Sequence, residues 1–221
     1  MAAEESSVNC SAISSSSGGT SRIYPLNPGY SGRMAVLPIR ITGDPVLHSP
    51  AARVETIDDE IRNLVRDLYE TMDAAPGVGL AAPQVGVPLR VFTFGWVDEQ
   101  ATRWRGVAIN PELWITPPPP GDPDPDEESE GCLSFPGERF GLRRAERALL
   151  RATDLDGGRF EIDAEGWLAR IFQHEYDHLD GVLYLDRLSH RDQRIVAKIN
   201  RKVGWGKPGE QWMPGVDDLE G

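Results

Sequence analysis

The stretch QHEYDHLDG, residues 173–181, sets the tightest limit on what this chain can fold into. It lies in a run, residues 163–180, with apolar residues at helical spacing. At about 100° per residue, Trp167, Leu168, Ile171, Phe172 and Leu179 share one side and predict a core helix. Arg170, Gln173, Asp177 and Asp180 cluster opposite them, as a solvent stripe. His174, Glu175 and His178 fall within or beside the apolar sector. Unpartnered ionisable groups there would each cost about several kcal/mol, so something must compensate. A divalent metal suits the spacing, because residues i and i+4 stand one above the other and two imidazoles can reach one ion. The intervening glutamate points about 100° aside, where it can reach a metal-bound water without being a ligand. Two hydrogen-bonded core histidines would be the plainer explanation of either residue alone. The HExxH pattern inside an amphipathic helix favours the metal.

A catalytic metal usually has three protein ligands and an open position. The extended pattern HExxHxxGxxH would place a third histidine where this chain has Tyr184, although Gly181 is present. A downstream glutamate on another helix is also missing, since residues 187–209 offer only Asp192 as an acidic side chain. His48 and His190 remain open, and read more readily as surface residues. Cys132, in EGCLS, is the better candidate: a thiolate with two imidazoles suits zinc or ferrous iron. A free cysteine is also common as a small buried hydrophobe, and spacing alone leaves that alternative open.

The remaining sequence divides simply. Residues 1–33 hold nine serines and no apolar periodicity, which predicts a disordered extension. A folded unit is expected over residues 34–206 and a tail over 207–221. Thr56 with Asp59 predicts a helix start, followed by Ile61, Leu64, Val65, Leu68 and Met72 at helical spacing. LRVFTFGW, VAINPELWI and the pair RALLRATDL/GRFEIDA around Asp156-Gly157-Gly158 predict strands. PPPPGDPDPDEESE, residues 117–130, carries six prolines and six acidic residues, and predicts a solvated loop. Strands, hairpins and few helices without βαβ alternation give an α+β class, with small antiparallel sheets packed around the HExxH helix and a helix near the C-terminus.

Composition narrows the function. There are 35 acidic against 23 basic residues, a net charge of −12, over 221 residues. That argues against nucleic-acid or anionic-membrane binding as the main task. No apolar run is long enough to span a bilayer, so no membrane partner is expected. Only Cys10 and Cys132 are present, far apart, and the N-terminus lacks a secretory pattern, so a reducing, cytoplasmic location is expected.

GVGLAAPQ (77–84), EGCLS (130–134) and QHEYDHLDG (173–181), in this order and at this separation, resemble the bacterial peptide deformylase family. The resemblance covers roughly residues 38–205. The acidic insert before EGCLS and the GW-containing tail resemble its actinobacterial branch. The resemblance implies that Cys132, His174 and His178 ligate one divalent metal, Fe(II) natively, with Zn(II), Ni(II) or Co(II) able to replace it. It implies Glu175 as general base and then acid, and Gln84 with the Leu133 backbone N–H as stabilisers of the oxyanion. Val78, Gly79, Gly131, Arg139 and Ile171 match substrate-side positions, Ile171 in the wall of the pocket for the first side chain. The implied reaction removes formyl from the N-terminal methionine of nascent polypeptides. Gly137 and Glu138 depart from the commoner residues after EGCLS, and Arg143-Arg144 adds charge nearby.

Two features stand apart from the resemblance. In GVGLAAPQ, two glycines permit close backbone approach, as strand addition by an extended substrate would need, although taken alone an ordinary glycine turn between helix and strand is the plainer reading. Between Ser189 and Trp205, Arg191, Arg194, Lys198, Arg201 and Lys202 face one Asp192, while Ile195, Val196, Ile199 and Val203 are predicted to face the core. This basic helix offers a surface for ribosomal RNA, although a solvated face explains it as well. A monomer is expected.

Overall fold

In this computed structural model the described residues are 22–23, 35–217 and 219. The extension expected over residues 1–33 lies outside them, apart from strand β1 (Arg22–Ile23).

The chain continues through β2 (Ile39–Arg40) to helix α1 (Asp59–Ala74). Asp58 caps α1, its carboxylate accepting from the N–H groups of Glu60 and Ile61, so the helix starts slightly later than Thr56 suggested. Strands β3 (Gly79–Ala81), β4 (Val91–Val97) and β5 (Arg103–Ile115) follow. Next come the pair β6 (Ser129–Cys132) and β7 (Phe135–Gly141), then the hairpin β8 (Arg147–Thr153) and β9 (Arg159–Glu165). Helices α2 (Gly166–Leu179) and α3 (His190–Val203) and strand β10 (Gln211–Trp212) complete the order.

The main sheet runs β3-β4-β5-β8-β9, all antiparallel, with β1 parallel to β5. β5 changes register at Asn110-Pro111. It pairs with β4 up to Ile109 and with β8 at Ile109 and, after the shift, from Glu112 to Ile115. Asn110 sits at φ 51°, its side-chain amide bonded to both backbone groups of Val54, and Pro111 cannot donate to a ladder. Two small pairs, β2–β10 and β6–β7, flank the main sheet.

α1 buries Ile61, Val65, Leu68 and Met72 against Leu80, Val91 and Ile109. α2 packs Leu168, Ile171, Phe172 and Leu179 on Phe92, Phe94, Leu150 and Ile162, with Phe94 edge-on to Phe172 at 5.0 Å. The HExxH helix is thus held among the sheets, as expected.

The other side of α2 differs from expectation. Arg170, Gln173 and Asp177 are only 8%, 5% and 7% exposed; of the expected solvent stripe, only Asp180 is exposed. The acidic segment and the chain entering β8 cover that side. Arg170 pairs with Glu130 and Glu128, Gln173 bonds both backbone groups of Ala145, and Asp177 takes Arg144 and Arg187. Helical periodicity finds the polar face but not what covers it. Glu130, at the end of the expected solvated loop, is likewise buried in β6. α3 is also thinner in its contacts than expected. Val196 and Ile199 pack on the body, whereas Ile195 and Val203 are 38% and 48% exposed, because only one edge of the apolar stripe meets a neighbour.

Candidate metal centre

Two elements supply the site. α2 carries His174 and His178 one turn apart, and β6 ends on Cys132 beside them. The three ligand atoms lie within 4.8 Å of one another and all three residues are buried. His178 Nε2 stands 3.2 Å from His174 Nε2 and 3.3 Å from Cys132 Sγ. Metal–nitrogen and metal–sulfur bonds of ordinary length, at tetrahedral angles, would separate such atoms by about 3.3 and 3.6 Å. The residues present therefore fit a divalent ion, in spacing and in donor chemistry. His48 and His190 stand elsewhere: His48 accepts from the Gly43 N–H, and His190 begins α3.

A buried carboxylate orients the first histidine. Glu130 Oε1 is 2.6 Å from His174 Nδ1, leaving Nε2 to face the cysteine. Burial alone would raise the Glu130 carboxyl. The Arg144 guanidinium and the contact with His174 outweigh it and hold Glu130 well below the usual carboxylate range. The two imidazoles diverge. Burial disfavours charge on both, but Cys132 and Glu130 raise His174 well above the ordinary value, whereas His178, beside His174 and Arg144, is lowered well below it. His178 Nδ1 has no hydrogen-bond partner among the described residues.

Glu175 is 3% exposed, and its Oε2 is unpartnered among the described residues. Burial pushes its carboxyl up to about 7. The side chain lies across Gly79, where an added Cβ would sit 2.2 Å from Glu175 Oε1. The glycine of GVGLAAPQ therefore makes room for Glu175, a reason beyond the substrate approach inferred from sequence. Gln84 follows in a short 3-10 turn, Ala82–Val85. Its Oε1 accepts from the Ala81 N–H at 2.8 Å, which aims Nε2 at Ser134 Oγ (3.3 Å) and Cys132 Sγ (3.7 Å).

A cleft of about 380 Å³ opens onto this cluster. Val78, Gly79, Gln84, Gly131, Leu133, Arg139, Ile171 and Glu175 all line it with Cys132 and His174, while His178 lies behind. Sequence reasoning missed four further participants. Glu130 and Arg144 support the histidine from behind, and Trp96 and Trp167 line the cleft with ring centroids 6.0 Å apart. One signal was available for Glu130: two residues before Cys132 on a strand, it must share the face of the cysteine.

The sequence profile of the polypeptide deformylase family matches residues 36–194. A peptide deformylase from Rhodococcus opacus (strain B4) is 50% identical over 187 residues, spanning 83% of this chain and 95% of its own. Among solved structures, peptide deformylase from Ehrlichia chaffeensis in complex with actinonin superposes with a TM-score of 0.67 at 36% identity, covering 76% of this chain and 98% of that one. A Met-Ala-Ser-bound peptide deformylase from Acinetobacter baumannii gives a TM-score of 0.61 at 32% identity, covering 71% and 100%. This chain belongs to the polypeptide deformylase family.

Proposed function

We propose that the chain hydrolyses the N-formyl group from the formyl-methionine that begins nascent polypeptides, releasing formate. One observation carries the reading: Cys132, His174 and His178 converge where a cleft ends on Cys132 and His174, with a carboxylate oxygen of Glu175 that has no partner among the described residues. Methionine heads the tripeptide held by the Acinetobacter relative, which supports a substrate beginning with that residue.

Cys132, His174 and His178 would hold the ion. A divalent cation bound there supplies Lewis acidity, lowering the pKa of water and polarising a carbonyl. Glu175 takes the proton of the attacking water as general base and returns it to the departing amine. Its burial keeps that proton close at hand. Negative charge grows on the formyl oxygen, and the Gln84 amide and Leu133 N–H stabilise it. The backbone of Val78 and of Gly79, at the start of β3, binds the substrate backbone, and Ile171 walls the pocket for the methionine side chain. Gly131 and Arg139 border the same path. We assign Fe(II) as the native ion, as the family resemblance implies, with Zn(II), Ni(II) or Co(II) as substitutes that a thiolate and two imidazoles also suit.

The wider setting is also a proposal. The cations of α3 would dock on ribosomal RNA, the protein acting as a monomer in the cytoplasm. No helix among the described residues is long and apolar enough to cross a membrane. The test is an anaerobic assay on a formyl-Met tripeptide: formate release supports the reading, and cleavage of an internal peptide bond without formate contradicts it.

A further inference from the structure

Trp212, on β10, lies 18 residues past the end of the stretch that matches the family, and it reaches the backbone that follows Cys132. It is 3% exposed, and its indole Nε1–H donates to the Leu133 carbonyl at 2.8 Å. That carbonyl and the Ser134 N–H belong to one planar amide. The Ser134 N–H in turn donates to Cys132 Sγ at 3.4 Å. The next amide is tied as well, with Ser134 O accepting from Thr42 N–H at 2.8 Å. β10 is anchored by pairing with β2, Trp212 opposite Ile39.

We propose that Trp212 is a positioning residue for the cysteine sulfur. Its indole orients the Leu133–Ser134 amide, and by polarising the carbonyl strengthens the N–H···S bond on the far side. The C-terminal strand is then part of the metal centre, one amide removed from the sulfur. A hydrogen bond to a thiolate lowers the energy of its lone pairs, so losing it moves a sulfur-to-metal charge-transfer band to longer wavelength. The inference rests on Cys132 as a ligand and is tested with the Co(II)-loaded protein.

Two replacements remove the donor: Trp212→Phe, and incorporation of benzothienylalanine at position 212, which keeps the indole shape without the N–H. In both, the sulfur-to-cobalt band is expected to shift to longer wavelength. kcat should fall by about 10- to 100-fold, the usual effect of an outer-shell partner, with KM changed less than about two-fold. A band and kcat identical to the unaltered protein in the benzothienylalanine form, whatever the thermal stability of Trp212→Phe, would overturn the proposal. An unaltered protein lacking any sulfur-to-cobalt band overturns the Cys132 assignment first, and this inference with it. Should neither replacement fold, hydrogen exchange of the Trp212 indole proton decides: slow exchange supports the bond, and exchange at the open rate overturns it.

Discussion

Glu130 Oε1 sits 2.6 Å from His174 Nδ1, and the same carboxylate is gripped by Arg144 through both of its oxygens. Arg144 also reaches Asp177, the residue before His178, at 2.6 Å. One buried guanidinium thus ties the strand carrying the cysteine to the helix carrying both histidines. Such a network adds little net stability, but removing one member leaves buried charge uncompensated.

Removing that guanidinium, as in Arg144→Met, should destabilise the fold by about 3–5 kcal/mol, measured by urea denaturation of the metal-free protein. Glu130→Gln keeps the shape and loses the charge behind His174. It should weaken metal affinity by about 10- to 100-fold in chelator competition.

Glu175→Gln should retain the metal and lose turnover by about 100- to 10,000-fold, the range for a lost general base. Near-full formate release by this variant would remove Glu175 from the mechanism.

Gly79→Ala places a methyl group where Glu175 lies. Displacing that carboxylate by about 1 Å should cost about 100-fold in kcat. In a Glu175→Gln background the same substitution should cost much less, since the displaced group no longer works. A double-mutant cycle measures the difference.

The cations of α3 predict a salt-dependent partner. Replacing Arg191, Arg194 and Lys198 with Ala should lower ribosome affinity and flatten its dependence on salt by about 0.9 per lost phosphate contact, as read by co-sedimentation. Unchanged affinity would leave these residues as a solvated face.

The sequence exposed most of the frame because its strongest signals are local. HExxH fixes the relation of His174 to His178 by helix geometry alone, and strand alternation located β8 and β9 around Asp156-Gly157-Gly158. What periodicity cannot see is the identity of the covering layer. Arg170, Gln173 and Asp177 read as a wet face until the segment after the acidic loop is laid on them, and Glu130 read as loop for the same reason. Trp212 is further from inference still. Its bond to Leu133 joins residues 79 apart in sequence, and neither carries a motif that points to the other.

Metal content is the most direct test of the whole account, measured on anaerobically purified protein beside its Cys132→Ala variant. About one divalent ion per chain in the unaltered protein, lost in Cys132→Ala together with formate release, is the predicted result. A Cys132→Ala protein that keeps its ion and its activity would contradict it.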